Sequence, residues 1–177
     1  MNPWKDFPPE RITPEEFDVF IEISAGSKNK YELDKDTGLL KLDRILYTST
    51  QYPQNYGFIP LTYAEDYDPL DVLLISSEKV LPRCLVRAKP IGMIQMVDQG
   101  LPDAKILAVC PNDPFYKDYK DIHQLPEHMV LEIQYFFETY KVLEGKDTLV
   151  PGINGRETAI ETVKKAIAAF KEKFPKI

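Results

Sequence analysis

The sequence has little cysteine, and this excludes one class of small protein. Cys84 and Cys110 are the two cysteines among 177 residues, too few for a disulfide framework. Both lie in apolar runs, so we predict that they are buried, reduced thiols. No apolar run approaches the roughly 20 residues that span a bilayer, and the first residues, MNPWKDFPPER, lack the apolar core of a signal peptide. These absences predict a cytoplasmic protein without a membrane segment.

Basic residues are fewer than acidic residues. Lysine and arginine total 22 against 28 acidic residues, which gives a net charge of -6 at pH 7. Such a chain repels polyanions at long range, which disfavours a nucleic-acid binder or an anionic-membrane binder. Hydrophobic residues make up 44% of the sequence and charged residues 28%, a composition typical of globular proteins. Because neither a repeat nor a break in composition divides the chain, we predict that residues 1–177 form a single domain.

The hydrophobic pattern changes its period after about residue 110. Before that point, short runs rich in β-branched and aromatic residues predict strands. These runs cover residues 17–23, 72–75, 85–96 and 104–110, and a hairpin pattern surrounds Asp36-Thr37-Gly38. After it, apolar residues recur every three to four positions and predict helices over 126–144 and 157–174. A capping pattern in TPEE also predicts a helical turn at 13–16. Strands first and helices last indicate an α+β fold, a small barrel with helices outside.

The densest polar feature is the segment EDYDPLDVLLI at 65–75. Asp66, Asp68 and Asp71 fall within six residues, and Pro69 makes the turn that carries them rigid. Three close carboxylates repel one another, and a hard divalent cation such as Mg²⁺ relieves that repulsion. A solvated Asp-Pro turn is the alternative interpretation of this segment taken alone.

Other acids, bases and tyrosines lie near predicted strand ends or on the first long helix. Taken singly, these residues are equally consistent with solvated strand ends or core tyrosines. Together they are the types that a metal and phosphate site needs, since carboxylates hold cations while lysine, arginine and tyrosine hold phosphoryl oxygens. The residues are Glu22, Lys30, Glu32, Arg44, Tyr52, Tyr56, Asp98, Asp103, Lys105, Tyr140 and Lys141.

Five runs of the sequence resemble the soluble inorganic pyrophosphatases of the first, barrel-fold family. They are IEISAGSKNKYELDKDTGLLKLDR, YPQNYGFIP, DYDPLDVLL, RAKPIGMIQMVDQGLPDAK and FFETYKVLE. They occur in the family's order over about residues 20–145 and include its central Asp motif at 66–71. The resemblance implies an OB-like five-stranded β-barrel with helices packed outside. It also implies Mg²⁺-dependent hydrolysis of pyrophosphate, with two or more metal ions, Mn²⁺ or Zn²⁺ as substitutes, and a homo-hexamer.

The resemblance also implies a role for each matching residue. Asp68 matches the general base beside the attacking water. The metal-binding aspartates are matched by Asp66, Asp71, Asp98 and Asp103, and acids for further metals by Glu22 and Glu32. Substrate-binding groups are matched by Lys30, Arg44, Tyr56, Lys105, Tyr140 and Lys141, and Tyr52 matches a tyrosine at the site edge. Tyr67 departs from the family's small or polar residue, and we expect its ring to point outward and to strain the backbone if φ is positive.

Three other interpretations of the sequence have been considered, and each has a feature against it. A haloacid-dehalogenase-like phosphatase shares the Asp-x-Asp pattern, but Leu70 stands where it needs Thr or Val, and its motif follows a strand of a doubly wound sheet. A nucleic-acid-binding OB domain is a small barrel too, but the net charge opposes it. A calcium-binding loop fails because Leu70 sits where its third ligand should be and the required glycine is missing.

Overall fold

A computed structural model describes residues 1–176. Within that range the chain forms nine strands and two α-helices, and no helix there is both long and apolar enough to cross a membrane. The strands are β1 (Phe17–Ile23), β2 (Asn29–Leu33), β3 (Leu40–Ile45), β4 (Asn55–Phe58), β5 (Asp71–Ile75), β6 (Leu85–Asp98), β7 (Leu101–Pro102), β8 (Lys105–Val109) and β9 (Thr148–Gly155). The helices are α1 (Glu127–Thr139) and α2 (Arg156–Lys173).

Five of the strands pair in a closed ring. β1 pairs with β4, β4 with β5, β5 with β8, β8 with β6, and β6 with β1. The β5–β8 pair is parallel, and the other four pairs are antiparallel. A ring of five strands, with helices α1 and α2 outside it, confirms the predicted α+β barrel.

Two hydrophobic clusters pack on the two faces of this ring. β5 shows the division, because Val72 and Leu74 belong to one cluster while Leu73 and Ile75 belong to the other, as the alternation of side chains along a strand requires. The first cluster includes α2 and Trp4, and the second includes α1. β2 and β3 form a separate hairpin that stands beside the ring.

Several elements differ from the sequence-based expectations. Residues 13–16 form a turn and not a helix, since the Thr13 N–H donates to the Glu16 carbonyl at 3.0 Å and the chain goes straight into β1. β4 and β9 were not predicted. The expected helix over 126–144 ends at Thr139, and a 3-10 turn, Val142–Glu144, follows. β9 therefore occupies the connection between the two expected helices.

The prediction of two buried cysteines is wrong. Cys84 is exposed and Cys110 is partly exposed. Cys84 precedes β6, whose first residue, Leu85, is itself 41% exposed. Apolar neighbours in sequence therefore do not by themselves bury a side chain, since Cys84 lies in the exposed connection before β6.

Candidate active site

A cavity of about 550 Å³ lies between the β2–β3 hairpin and the ring. Of the residues predicted to have roles in the site, all but Arg44 and Tyr52 line it. Six strands supply seven of these residues: Glu22 from β1, Lys30 and Glu32 from β2, Tyr56 from β4, Asp71 from β5, Asp98 from β6 and Lys105 from β8. Connecting segments supply Asp66, Asp68, Asp103, Tyr140 and Lys141. The fold thus brings together residues that are far apart in the sequence.

Three carboxylates form the centre of the cavity. Asp66, Asp71 and Asp103 each offer an oxygen within 4.8 Å of the other two. Burial, together with the charges of the other two aspartates, raises the pKa of Asp66 to about 7. Burial also raises the pKa of Asp71. Carboxylates this close together repel one another when ionised. A hard divalent cation relieves that repulsion, and three oxygen ligands of this kind fit one.

The side chain of Lys105 places a positive charge beside these carboxylates. It is only 2% exposed, and its Nζ lies 2.6 Å from Asp71 and 2.7 Å from Asp103. Nζ also donates to the Tyr56 hydroxyl at 3.1 Å. Burial opposes the charge of Lys105, but the two aspartates outweigh it and raise its pKa well above the usual value. Lys105 is therefore a fixed positive charge inside the cavity.

Glu22 joins the hairpin to the ring. Its carboxylate accepts the backbone N–H of Leu33 at 2.7 Å, although the residue is buried. Burial, and then the charge of Asp71, raises the pKa of Glu22 to about 8. Because Glu22 is largely protonated at neutral pH, a nearby cation would stabilise its ionised form.

Asp98 and Lys141, which both line the cavity, form an ion pair. Within residues 1–176, the buried Oδ1 of Asp98 has no hydrogen-bond partner. Burial lowers the pKa of Lys141 despite the Asp98 carboxylate, and burial raises the pKa of the neighbouring Tyr140. The unpaired oxygen of Asp98 is free to bind a cation or water.

Asp68 lies at the solvent-accessible edge of the cavity. Its side chain is 52% exposed and forms an ion pair with Lys35 on the hairpin loop. Between Asp66 and Asp68, Tyr67 has a φ of 69° and is 66% exposed. The ring points outward, as expected, and the backbone is in the left-handed region, which is the condition under which we expect strain.

Two of the predicted residues lie outside the cavity lining. Arg44 is paired with Asp43 at 2.6 Å and with Glu144 at 2.7 Å. Tyr52 is 1% exposed and packs against Tyr56 and Phe136, so it is a core residue behind Tyr56. Sequence reasoning also missed Lys35 and Glu144, because each pairs with a residue that only the tertiary fold brings close, and it missed Asp43, which pairs with its sequence neighbour Arg44.

The order of motif and strand opposes the phosphatase rival. Asp66 and Asp68 come before β5, which begins at Asp71, and the ring is not a doubly wound sheet. A family model described as inorganic pyrophosphatase matches residues 19–171. The chain belongs to the inorganic pyrophosphatase family.

Members of the inorganic pyrophosphatase family match nearly the whole chain. A soluble inorganic pyrophosphatase of Solanum tuberosum is 52% identical over 97% of this chain and 81% of its own length. One from Chlamydomonas reinhardtii is 51% identical over 98% of this chain and 90% of its own. The structure of the inorganic pyrophosphatase from Thermus thermophilus superposes with a TM-score of 0.92 at 42% identity, covering 97% of this chain and 99% of that one. These matches confirm the family, its fold and the enzyme class, an inorganic diphosphatase.

Proposed function

We propose that the protein hydrolyses inorganic pyrophosphate to two orthophosphates and depends on Mg²⁺, for which Mn²⁺ or Zn²⁺ can substitute. The observation that supports this most directly is the group of Asp66, Asp71 and Asp103 beside the buried Lys105. Carboxylates and a fixed ammonium in one cavity suit a substrate that is an anion accompanied by metal ions.

The donor set fits divalent cations. Asp66, Asp71 and Asp103 would hold one ion between them, and Asp98, whose Oδ1 has no partner in the described chain, would join in holding a second. Glu22 and Glu32 would bind further ions, directly or through water. When bound, the ions supply positive charge that offsets the phosphoryl oxygens and acidity for the attacking water.

The chain's own groups carry the proton and hold the substrate. Asp68 accepts a proton from the water that attacks phosphorus, while the bridging P–O bond breaks and an orthophosphate leaves. Lys30, Tyr56 and Lys105 hold oxygens of the attacked phosphoryl group. Arg44, Tyr140 and Lys141 hold the leaving phosphate. Because these groups are fixed before the reaction, positioning provides much of the rate enhancement.

The balance of charge makes substrate binding depend on the cation. The proposed site contains seven acids and four bases, so it carries three negative charges when all of them are ionised. Two divalent ions would turn that balance positive by one charge. The acidic character of the chain therefore does not exclude a polyanionic substrate when metal is present.

The assay for this proposal compares the wild-type protein with Asp68→Asn. With Mg²⁺ saturating, we expect the substitution to lower the kcat for phosphate release by about 10²-fold or more, because it removes the proton acceptor. Asp118→Asn, at an exposed position, is the matched control and should leave kcat unchanged. Equal rates for Asp68→Asn and the wild type would remove Asp68 from this role.

We also propose that the 177 residues act as one catalytic domain, in a homo-hexamer, in the cytoplasm. The family resemblance supports the assembly, and light scattering on the purified protein tests it. A monomer at all concentrations would contradict this part of the proposal.

A further inference from the structure

The guanidinium of Arg44 is held by two carboxylates that belong to different parts of the chain. Asp43, its neighbour on β3, accepts from Nη1 at 2.6 Å. Glu144, on the 3-10 turn after α1, places Oε1 2.7 Å from Nε. The Glu144 side chain is only 6% exposed, although a carboxylate is normally found at the surface. A buried acid of this kind requires a reason to be there.

Two nitrogens of Arg44 lack a hydrogen-bond partner. Within residues 1–176, Nε and Nη2 are both buried without one, although Oε1 of Glu144 lies 2.7 Å from Nε as an ion-pair contact. A guanidinium presents its donors in a rigid planar fork, so the hydrogen bond from Nη1 to Asp43 and the ion pair with Glu144 together set the orientation of the whole group.

Arg44 lies directly behind the cavity wall. Arg44 faces Lys30 across the β2–β3 hairpin, and the backbone N–H of its partner Glu144 donates to the Lys141 carbonyl at 3.0 Å. Lys30 and Lys141 both line the cavity, so the guanidinium lies near the part of the cavity where we place the leaving phosphate. Glu144 is three residues beyond Lys141, on the same turn of chain.

We propose that Glu144 is a positioning residue for substrate binding. Its ion pair with Arg44 sets the orientation in which the guanidinium meets the leaving phosphate. It also ties the β2–β3 hairpin to the end of α1, so that Arg44 and Lys141 keep one relative position. This inference rests on the proposed function, since it requires that Arg44 contacts pyrophosphate.

The direction in which the KM for pyrophosphate changes in Glu144→Gln distinguishes a positioning role from a purely electrostatic one. Glu144→Gln removes a negative charge near an anionic substrate, so electrostatics alone predicts a lower KM for pyrophosphate. Positioning predicts the opposite, because an Arg44 that is free to move holds the phosphate less well. We expect KM to rise about tenfold while kcat changes little, as for an interaction present in both ground and transition states.

The control removes the same charge elsewhere on the same helical region. Glu132 is exposed on α1 and pairs with His128 at 3.1 Å, so Glu132→Gln should leave KM unchanged. Melting temperatures of both variants report any loss of structure. A Glu144→Gln variant with wild-type or lower KM would overturn the inference.

A double-variant cycle tests whether Glu144 acts through Arg44. Arg44→Ala alone should raise KM, and adding Glu144→Gln to it should have no further effect. If the two effects multiply, Glu144 acts independently of Arg44 and the inference is wrong. If Glu144→Gln does not fold, Arg44→Lys replaces it in the test. An ammonium has one nitrogen and cannot contact Asp43 and Glu144 through two, as the guanidinium does. An unchanged KM in Arg44→Lys would also contradict the inference.

The proposed function fails separately from this inference. If the wild type releases no phosphate from pyrophosphate, the proposed function is wrong. If the wild type is active and only the Glu144 results disagree, the positioning role alone is wrong.

Discussion

Binding of Mg²⁺ to this protein should release protons, and the number should fall as pH rises. The perturbation is a titration of Mg²⁺ into the metal-free protein at pH 6.0 and at pH 8.5. Burial and the charges of Asp71 and Asp103 raise the pKa of Asp66 to about 7. Burial and the charge of Asp71 raise that of Glu22 to about 8. Both acids are therefore largely protonated at pH 6.0, and carboxylates bind metal only after losing the proton.

The magnitude follows from these two pKa values. At pH 6.0, Asp66 carries about 0.9 proton and Glu22 about one, so the release is about two protons if both bind metal. At pH 8.5 both acids are mostly ionised, so well under one proton is released. Both pKa values are raised, so protonation competes with the metal on the acid side, and the apparent affinity weakens about tenfold per proton for each pH unit below the pKa.

Calorimetry in two buffers of different ionisation enthalpy measures the protons directly. The heat at pH 6.0 should differ strongly between the buffers, and the difference should nearly vanish at pH 8.5. Glu22→Gln is the matched control, because it should reduce the release at pH 6.0 from about two protons to about one. Equal heats in both buffers at pH 6.0 would refute the assignment of protonated acids to the metal site.

Two further predictions concern stability. Tyr67 holds a φ of 69° with its ring exposed, so Tyr67→Gly should relieve strain and raise the free energy of unfolding in urea by up to about 1 kcal/mol; a loss of stability would show that contact with Tyr63 outweighs the strain. Trp4 is buried, donates from its indole to the Thr62 carbonyl at 2.8 Å and packs against Phe170 and Phe174, so Trp4→Ala should lower the same free energy by about 3–5 kcal/mol. The exposed Phe115, replaced by Ala, is its control, and a similar small change for both would contradict the anchoring of the N-terminal segment by Trp4.

The helices could be predicted because their hydrophobic period is regular, and the ring strands β1, β5, β6 and β8 because their runs are rich in β-branched and aromatic residues. β4 could not, since the segment around Tyr56-Gly57 has the composition of a turn. Gly57 is needed there, because a Cβ would come within 2.0 Å of the Phe20 carbonyl oxygen. β9 includes Pro151 and two glycines, and it escapes prediction because it pairs with β6 alone, an edge position that tolerates proline.

The same limit applies to the site. Motif residues such as Asp66 and Asp71 stand out because several acids lie close in sequence. Glu144 and Lys35 do not, because each is an ordinary charged residue until the fold brings it to Arg44 or Asp68. The position of Arg44 outside the cavity lining was likewise beyond the sequence, since its pairing with Glu144 depends on where α1 ends relative to the hairpin.

The central claim is tested most directly by phosphate release from pyrophosphate, with ATP and tripolyphosphate as competing substrates and the metal varied. We expect rapid release from pyrophosphate with Mg²⁺ and none when a chelator removes the metal. Absence of release with Mg²⁺, Mn²⁺ and Zn²⁺ alike would contradict it.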